Sequence, residues 1–149
     1  MVTLENGNMV IFGGYRNGQK VDMYDVQLEE WIQLPKLKMW SDRHDCILLD
    51  DSKVLIVDRY SRAEIYDVNR GRSETISGPK FHRGFAKLAK INGEIYKLGG
   101  DYKINAVEKF NYGKNFEVLP YKLLKGRSRF SCTTVTKSYI QSLGYKICQ

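Results

Sequence analysis

The chain has 149 residues, a formal charge of +7, and 42% apolar against 28% charged side chains. That composition suits a globular chain able to bury a core, and the basic balance favours acidic partners. No apolar run approaches the ~18 residues of a membrane-spanning helix, and Met1 is followed by no signal-like apolar segment, so a cytoplasmic or nuclear protein with no membrane partner is expected.

In chain order, Val2–Leu4 reads as the tail of a strand, and Asn6-Gly7 as a turn into a strand over 8–14 that closes on Gly13-Gly14. A polar loop, Tyr15 to Lys20, leads to strands over 21–26 and 30–34, with Pro35 as the stop because proline cannot donate into a ladder. A second set of strands is expected over 44–50, 53–58, 62–68 and 73–77, broken by Gly78-Pro79. The third set reads 84–91, 94–100, 105–111 and 115–119, closing at Pro120. Its hairpin Ile91-Asn92-Gly93-Glu94 carries the Asn-Gly pair that suits a turn with positive φ at both central residues. Residues 129–136 read as the first strand of a fourth set and Ser138–Leu143 as its second. No segment keeps helical periodicity over 10–12 residues, so the expected class is all-β.

These sets are copies of one another. Gly14, Tyr24 and Arg43 recur 86 residues later as Gly100, Phe110 and Arg129, and an intermediate copy carries Tyr66-Asp67-Val68. Asp58-Arg59 stand in that copy where a glycine pair should be. The implied period of about 43 residues lies in the range of propeller blades.

An apolar strand, Gly-Gly, an aromatic ten residues on (Tyr24, Phe110) and Trp31 seven after Tyr24 together resemble the kelch repeat. The resemblance implies four-stranded antiparallel blades in a β-propeller, with approximate blades 1–35, 43–78, 83–120 and a partial one over 129–149. About three and a half blades fall short of the ~4–8 of a closed ring. The ring would then be completed by further blades or by a second copy. The repeat aromatics Trp31, Tyr24, Tyr66, Phe110 and Phe116 are expected to pack between blades.

No catalytic constellation stands out. His44 and His82 each adjoin an arginine and read as repeat positions rather than a dyad; the glycine pairs end strands and form no phosphate loop. Asp25, Asp67, Asp50 and Asp51 read as turn formers. Cys46, Ala86 and Cys132 each lie three residues after an arginine, which suggests one small buried position and a reducing compartment, with Cys148 unassigned. No metal or cofactor is expected.

The binding candidates are Arg43, Arg83 and Arg129, each expected to open a blade on one face of the ring, where guanidiniums suit carboxylates. Each could equally anchor its own loop. Tyr15, Arg16, Arg59, Tyr60, Arg62, Tyr102 and Lys103, on the loops after the second strands, would share that face. In kelch substrate receptors an arginine at the position of Arg83 touches an acidic peptide, which implies a non-enzymatic protein-interaction module using the inter-blade and post-Gly-Gly loops. The alternatives are a scaffold subunit of a larger assembly and, third, a propeller enzyme of the oxidase or mutarotase kind. Nucleic acid is disfavoured because the basic residues are dispersed.

Overall fold

The computed structural model describes residues 1–135 and 137–143. Three successive four-stranded antiparallel meanders make up the chain. Sheet 1 comprises β1 (Val2–Thr3), β2 (Met9–Phe12), β3 (Val21–Asp25) and β4 (Glu30–Leu34). Sheet 2 comprises β5 (Asp45–Leu48), β6 (Lys53–Val57), β7 (Ala63–Asp67) and β8 (Arg72–Ile76). Sheet 3 comprises β9 (Lys87–Ile91), β10 (Glu94–Leu98), β11 (Ala106–Asn111) and β12 (Asn115–Lys122). The expected all-β class and the three strand sets are present, and Val2–Thr3 is the short first strand of sheet 1.

The turns form for the reasons expected. Asn92 (φ 51°) and Gly93 (φ 80°) make the two-residue hairpin turn between β9 and β10. Asp25 accepts from the amides of Gln27 and Leu28, Asp50 from those of Ser52 and Lys53, and Asp67 from that of Arg70. Each carboxylate closes its own turn. Sheet 3 departs from expectation at its end: β12 runs through Pro120 to Lys122. Its place at the sheet edge leaves no ladder bond for proline to break, and a bulge between Ala106 and Glu108 absorbs the extra length.

The last expectation fails. Residues 129–135 form no ladder and residues 137–142 form a short helix, α1 (Lys137–Ser142), where the second strand of a fourth blade was expected. A strand must find a neighbour for its amides and carbonyls, whereas a helix satisfies them locally. No strand pairs with either segment among the described residues, so the local solution prevails. Cys148 lies outside the described residues.

Two cores fill the spaces between the sheets. Val10, Phe12 and Val21 of sheet 1 pack with Val54, Ile56 and Tyr66 of sheet 2. Leu55, Val57 and Ala63 of sheet 2 pack with Leu88, Ile95 and Phe110 of sheet 3. Alternation along β6 sends Val54 and Ile56 one way and Leu55 and Val57 the other, so this strand is buried on both faces. Tyr66 meets Phe12 edge-on, with 5.5 Å between ring centres, and donates its hydroxyl to the Pro35 carbonyl at 2.8 Å. Burial pushes that phenol up to about 12.

Tyr66 and Phe110 are buried as expected, and Phe116 is partly so. Tyr24 is also only partly buried, and Trp31 is exposed. They stack at 5.3 Å on the outer face of sheet 1, with Trp31 55% exposed. The counterparts of Tyr24, which are Tyr66 and Phe110, are covered by the preceding sheet, and among the described residues no sheet covers this face of sheet 1.

Candidate functional site

The linkers between sheets set the geometry of the expected binding face. Ten residues, 35–44, join β4 to β5, and ten, 77–86, join β8 to β9. Counting along them makes Arg43 equivalent to Phe85 and Ser41 equivalent to Arg83. The backbone agrees: Arg43 (φ 47°), Phe85 (φ 60°) and Arg129 (φ 53°) share a left-handed conformation that few non-glycine residues adopt. The amide of Gly14 donates to the Ser41 carbonyl and that of Gly100 to the Arg127 carbonyl, which aligns Arg127 with Ser41 and Arg83.

The expected arginine row is therefore shifted by two residues in its middle member. Arg83 does not face solvent. Its side chain is fully buried, donating to the Ala106 carbonyl at 2.9 Å and to the Glu108 carboxylate, itself fully buried. Lys97 joins them, its Nζ 2.8 Å from the Phe81 carbonyl and 3.8 Å from Glu108. Burial pulls the Lys97 ammonium down to about 8 despite the neighbouring carboxylate. Arg83 holds the second inter-sheet contact together and, contrary to expectation, presents no side-chain surface to solvent.

The same shift removes two other expected equivalences. Ala86 corresponds to His44 rather than to Cys46, whose counterpart is Leu88. Cys46 is half-buried against the first core, with its thiol pushed up by burial, whereas Cys132 is exposed. His44 is half-buried, and that desolvation lowers its pKa, while His82 is exposed.

The other expected residues are solvent-accessible, and they pair cation with ring. Arg43 and Arg129 both stack on Phe85, at 5.5 and 5.0 Å from its centre. Tyr60 lies between Arg59 (4.4 Å) and Arg62 (5.3 Å). Arg16 packs on Tyr15 at 5.6 Å, and Lys103 on Tyr102 at 5.9 Å. Tyr15 and Tyr102 are 83% and 73% exposed. The loops carrying them abut the linker ends: a Cβ on Gly13 would lie 2.6 Å from the Ser41 carbonyl oxygen, and one on Gly100 2.7 Å from the Arg83 Cβ. Glycine is required at both positions, at φ 55° and φ 93°. The post-glycine loops and the linker ends thus lie at one end of the sheets.

Sheet 2 solves the same corner without glycines. Asp58, buried, accepts from the amides of Tyr60 and Arg62 and from the Arg62 guanidinium, so the loop 58–62 closes on its own carboxylate. Arg59 Nε lies 3.2 Å from Asp42. Arg16, Arg43, Lys103 and Arg129 have no carboxylate partner among the described residues, so this end of the molecule keeps an excess of positive charge.

Two residues that matter went unread in the sequence. Glu64 on β7 is fully buried and accepts from the amides of Lys38 (2.8 Å) and Met39 (3.1 Å) in the first linker. Glu108 on β11 accepts from those of Lys80 and Phe81 in the second. These are the fourth and fifth residues of each linker. The readable signal was an acidic residue at one position of the third strand in each set, Asp22, Glu64 and Glu108.

The cleft beneath Arg43 and Arg83, lined also by Asp45, Val57, Leu88 and Lys97, has no room for a water-sized ligand. Among the described residues, no group of three His, Cys, Asp or Glu side chains could hold a metal ion. No known protein-family model matches the chain, and no curated protein matches it either.

Proposed function

We propose that the chain is a non-enzymatic protein-interaction module of the kelch-propeller type, which takes an acidic, extended segment of a partner on the loop face just described. The observation that carries the reading is the set of ring-backed cations without carboxylate partners: Arg43 and Arg129 about Phe85, Arg16 on Tyr15, and Lys103 on Tyr102. A stacked guanidinium gives up part of its freedom before binding, and Tyr and Arg are the residue types most enriched at interface hot spots. Arg59, Tyr60 and Arg62 add a third element whose charge is already offset by Asp42 and Asp58. In this reading they serve as the rim. Free thiols at Cys46 and Cys132 suit a reducing compartment such as the cytoplasm.

Fluorescence anisotropy with an end-labelled oligoglutamate peptide tests the reading. Binding is expected to weaken with salt. The double substitution Arg43→Glu, Arg129→Glu is expected to weaken it by about tenfold or more, while Lys114→Glu, far from the loop face, leaves it unchanged. No binding, or equal loss in both variants, would overturn the reading.

A further inference from the structure

The outer face of sheet 1 and the end of sheet 3 carry the two halves of a contact that the chain already makes twice within itself. In each internal contact a carboxylate on the third strand of one sheet accepts two consecutive amides from the linker of the preceding sheet. Glu64 lies opposite Ile56 and Glu108 opposite Lys97 in their ladders. The same position in sheet 1, opposite Ile11, is Asp22. Its side chain is 28% exposed and pairs with Lys20 at 3.1 Å.

Around Asp22 lies the apolar surface that the corresponding sheets bury. Ile11 is 38% exposed where Ile56 is fully covered, and Tyr24 stacks on exposed Trp31 where Tyr66 is fully covered. At the other end, counting back from Arg129 as Lys38 is counted from Arg43 gives Leu124 and Lys125. Leu124 is 99% exposed, and no carboxylate accepts the amides of these two residues among the described residues.

We propose that two copies of the chain join head to tail, sheet 3 of each packing on sheet 1 of the other, with Asp22 accepting from the Leu124 and Lys125 amides. The occupant follows from continuity with the internal contacts: sheet 3 ends in linker amides with no carboxylate acceptor among the described residues. Its outer face carries Tyr96, Leu98 and Lys109 where sheets 1 and 2 carry Val10, Phe12 and Met23 or Leu55, Val57 and Ile65, so the contact would also cover the Lys109–Glu94 pair. Two such contacts close a two-fold particle of six sheets, within the ~4–8 of known propellers, so assembly stops at two. This step rests on the propeller reading and is independent of the acidic-segment reading. It requires residues 131–135 to leave β9, where Thr134 Oγ1 donates to the Lys90 carbonyl at 3.1 Å.

Sedimentation velocity from low to high micromolar concentration tests the proposal. Expected is a mass of two chains and no larger, with tryptophan emission moving to the blue as Trp31 becomes covered. Asp22→Arg and Trp31→Ser, both at accessible positions, are each expected to raise the dimer dissociation constant by about tenfold or more while far-UV circular dichroism stays unchanged. Should Asp22→Arg fail to fold, Trp31→Ser alone decides. A chain monomeric throughout, growth beyond two, or a dimer indifferent to the folded variants would each overturn the proposal. Peptide binding measured at concentrations where the chain is monomeric keeps the two readings separable.

Discussion

The two internal contacts use one device in two electrostatic settings. Between sheets 1 and 2, Glu64 meets the linker amides of Lys38 and Met39, with Ser41 and Ile56 at the flanking positions. Between sheets 2 and 3, Glu108 meets the amides of Lys80 and Phe81, and the same flanking positions hold Arg83 and Lys97. In the first the carboxylate is met by backbone amides and, among the described residues, by no cation. In the second it sits with two buried cations, so the cluster carries a net positive charge. The lesson is that the carboxylate-to-amide bond is the constant part and the cations are an addition. Buried charges tie each other to one arrangement, since removing one strands the others.

The largest expected effect tests that dependence. Glu108→Gln leaves Arg83 and Lys97 buried without a counter-charge and should cost about 3–5 kcal/mol, read as a lowered urea midpoint. Glu64→Gln strands no cation and keeps one amide oxygen to accept, so about 1–3 kcal/mol is expected. Equal losses at the two sites would mean the cations add nothing to the second contact.

A loss of about 1–3 kcal/mol is also expected for Asp58→Gly combined with Arg59→Gly. The pair restores the glycines of sheets 1 and 3 but removes the carboxylate that closes the loop 58–62. Unchanged stability in thermal unfolding would show that the glycine and aspartate corners are interchangeable.

Lys97→Met should be the mildest change, within about 1 kcal/mol at neutral pH, because the equivalent Ile56 shows an apolar side chain fitting there and Arg83 still neutralises Glu108. Its signature is in pH. The folded Lys97 gives up its proton near 8 and the unfolded one near 10.5, so between these values the unfolded chain binds more protons and stability gains from this group as pH rises. Tyr66, raised from 10.0 to about 12, opposes this above pH 10. Urea midpoints from pH 7.5 to 9.5 should therefore rise more steeply in the wild type than in Lys97→Met, and parallel slopes would refute the assignment.

Most of the strands were legible because their signals are local: Asn-Gly at the β9–β10 turn, aspartates that cap turns, and apolar alternation between them. The copies were legible because Gly-Gly and the following aromatic recur. The arginine row misled because Arg83-Gly84-Phe85-Ala86 offers an arginine three residues before a small residue, like Arg43 before Cys46, and sequence alone gives no penalty for a two-residue shift. The equal linker lengths would have exposed it. The roles of Glu64, Glu108 and Lys97 were hidden for a different reason: charged residues on a central strand look solvated until the neighbouring sheet is in place. The exposure of Trp31 and the helix at 137–142 both depend on which neighbours are present, which no local pattern encodes.

The ten-residue linkers carry a consequence for how the chain folds. The amides of Lys38 and Met39 stay bonded to water until β7 is made, about 25 residues later in the chain, and those of Lys80 and Phe81 wait in the same way for β11. The exits of sheets 1 and 2 are each finished by the next sheet. Nearest-neighbour coupling of this kind makes repeated units melt together. The core amides of the three sheets should therefore exchange with one common free energy of opening, rather than as three separate units.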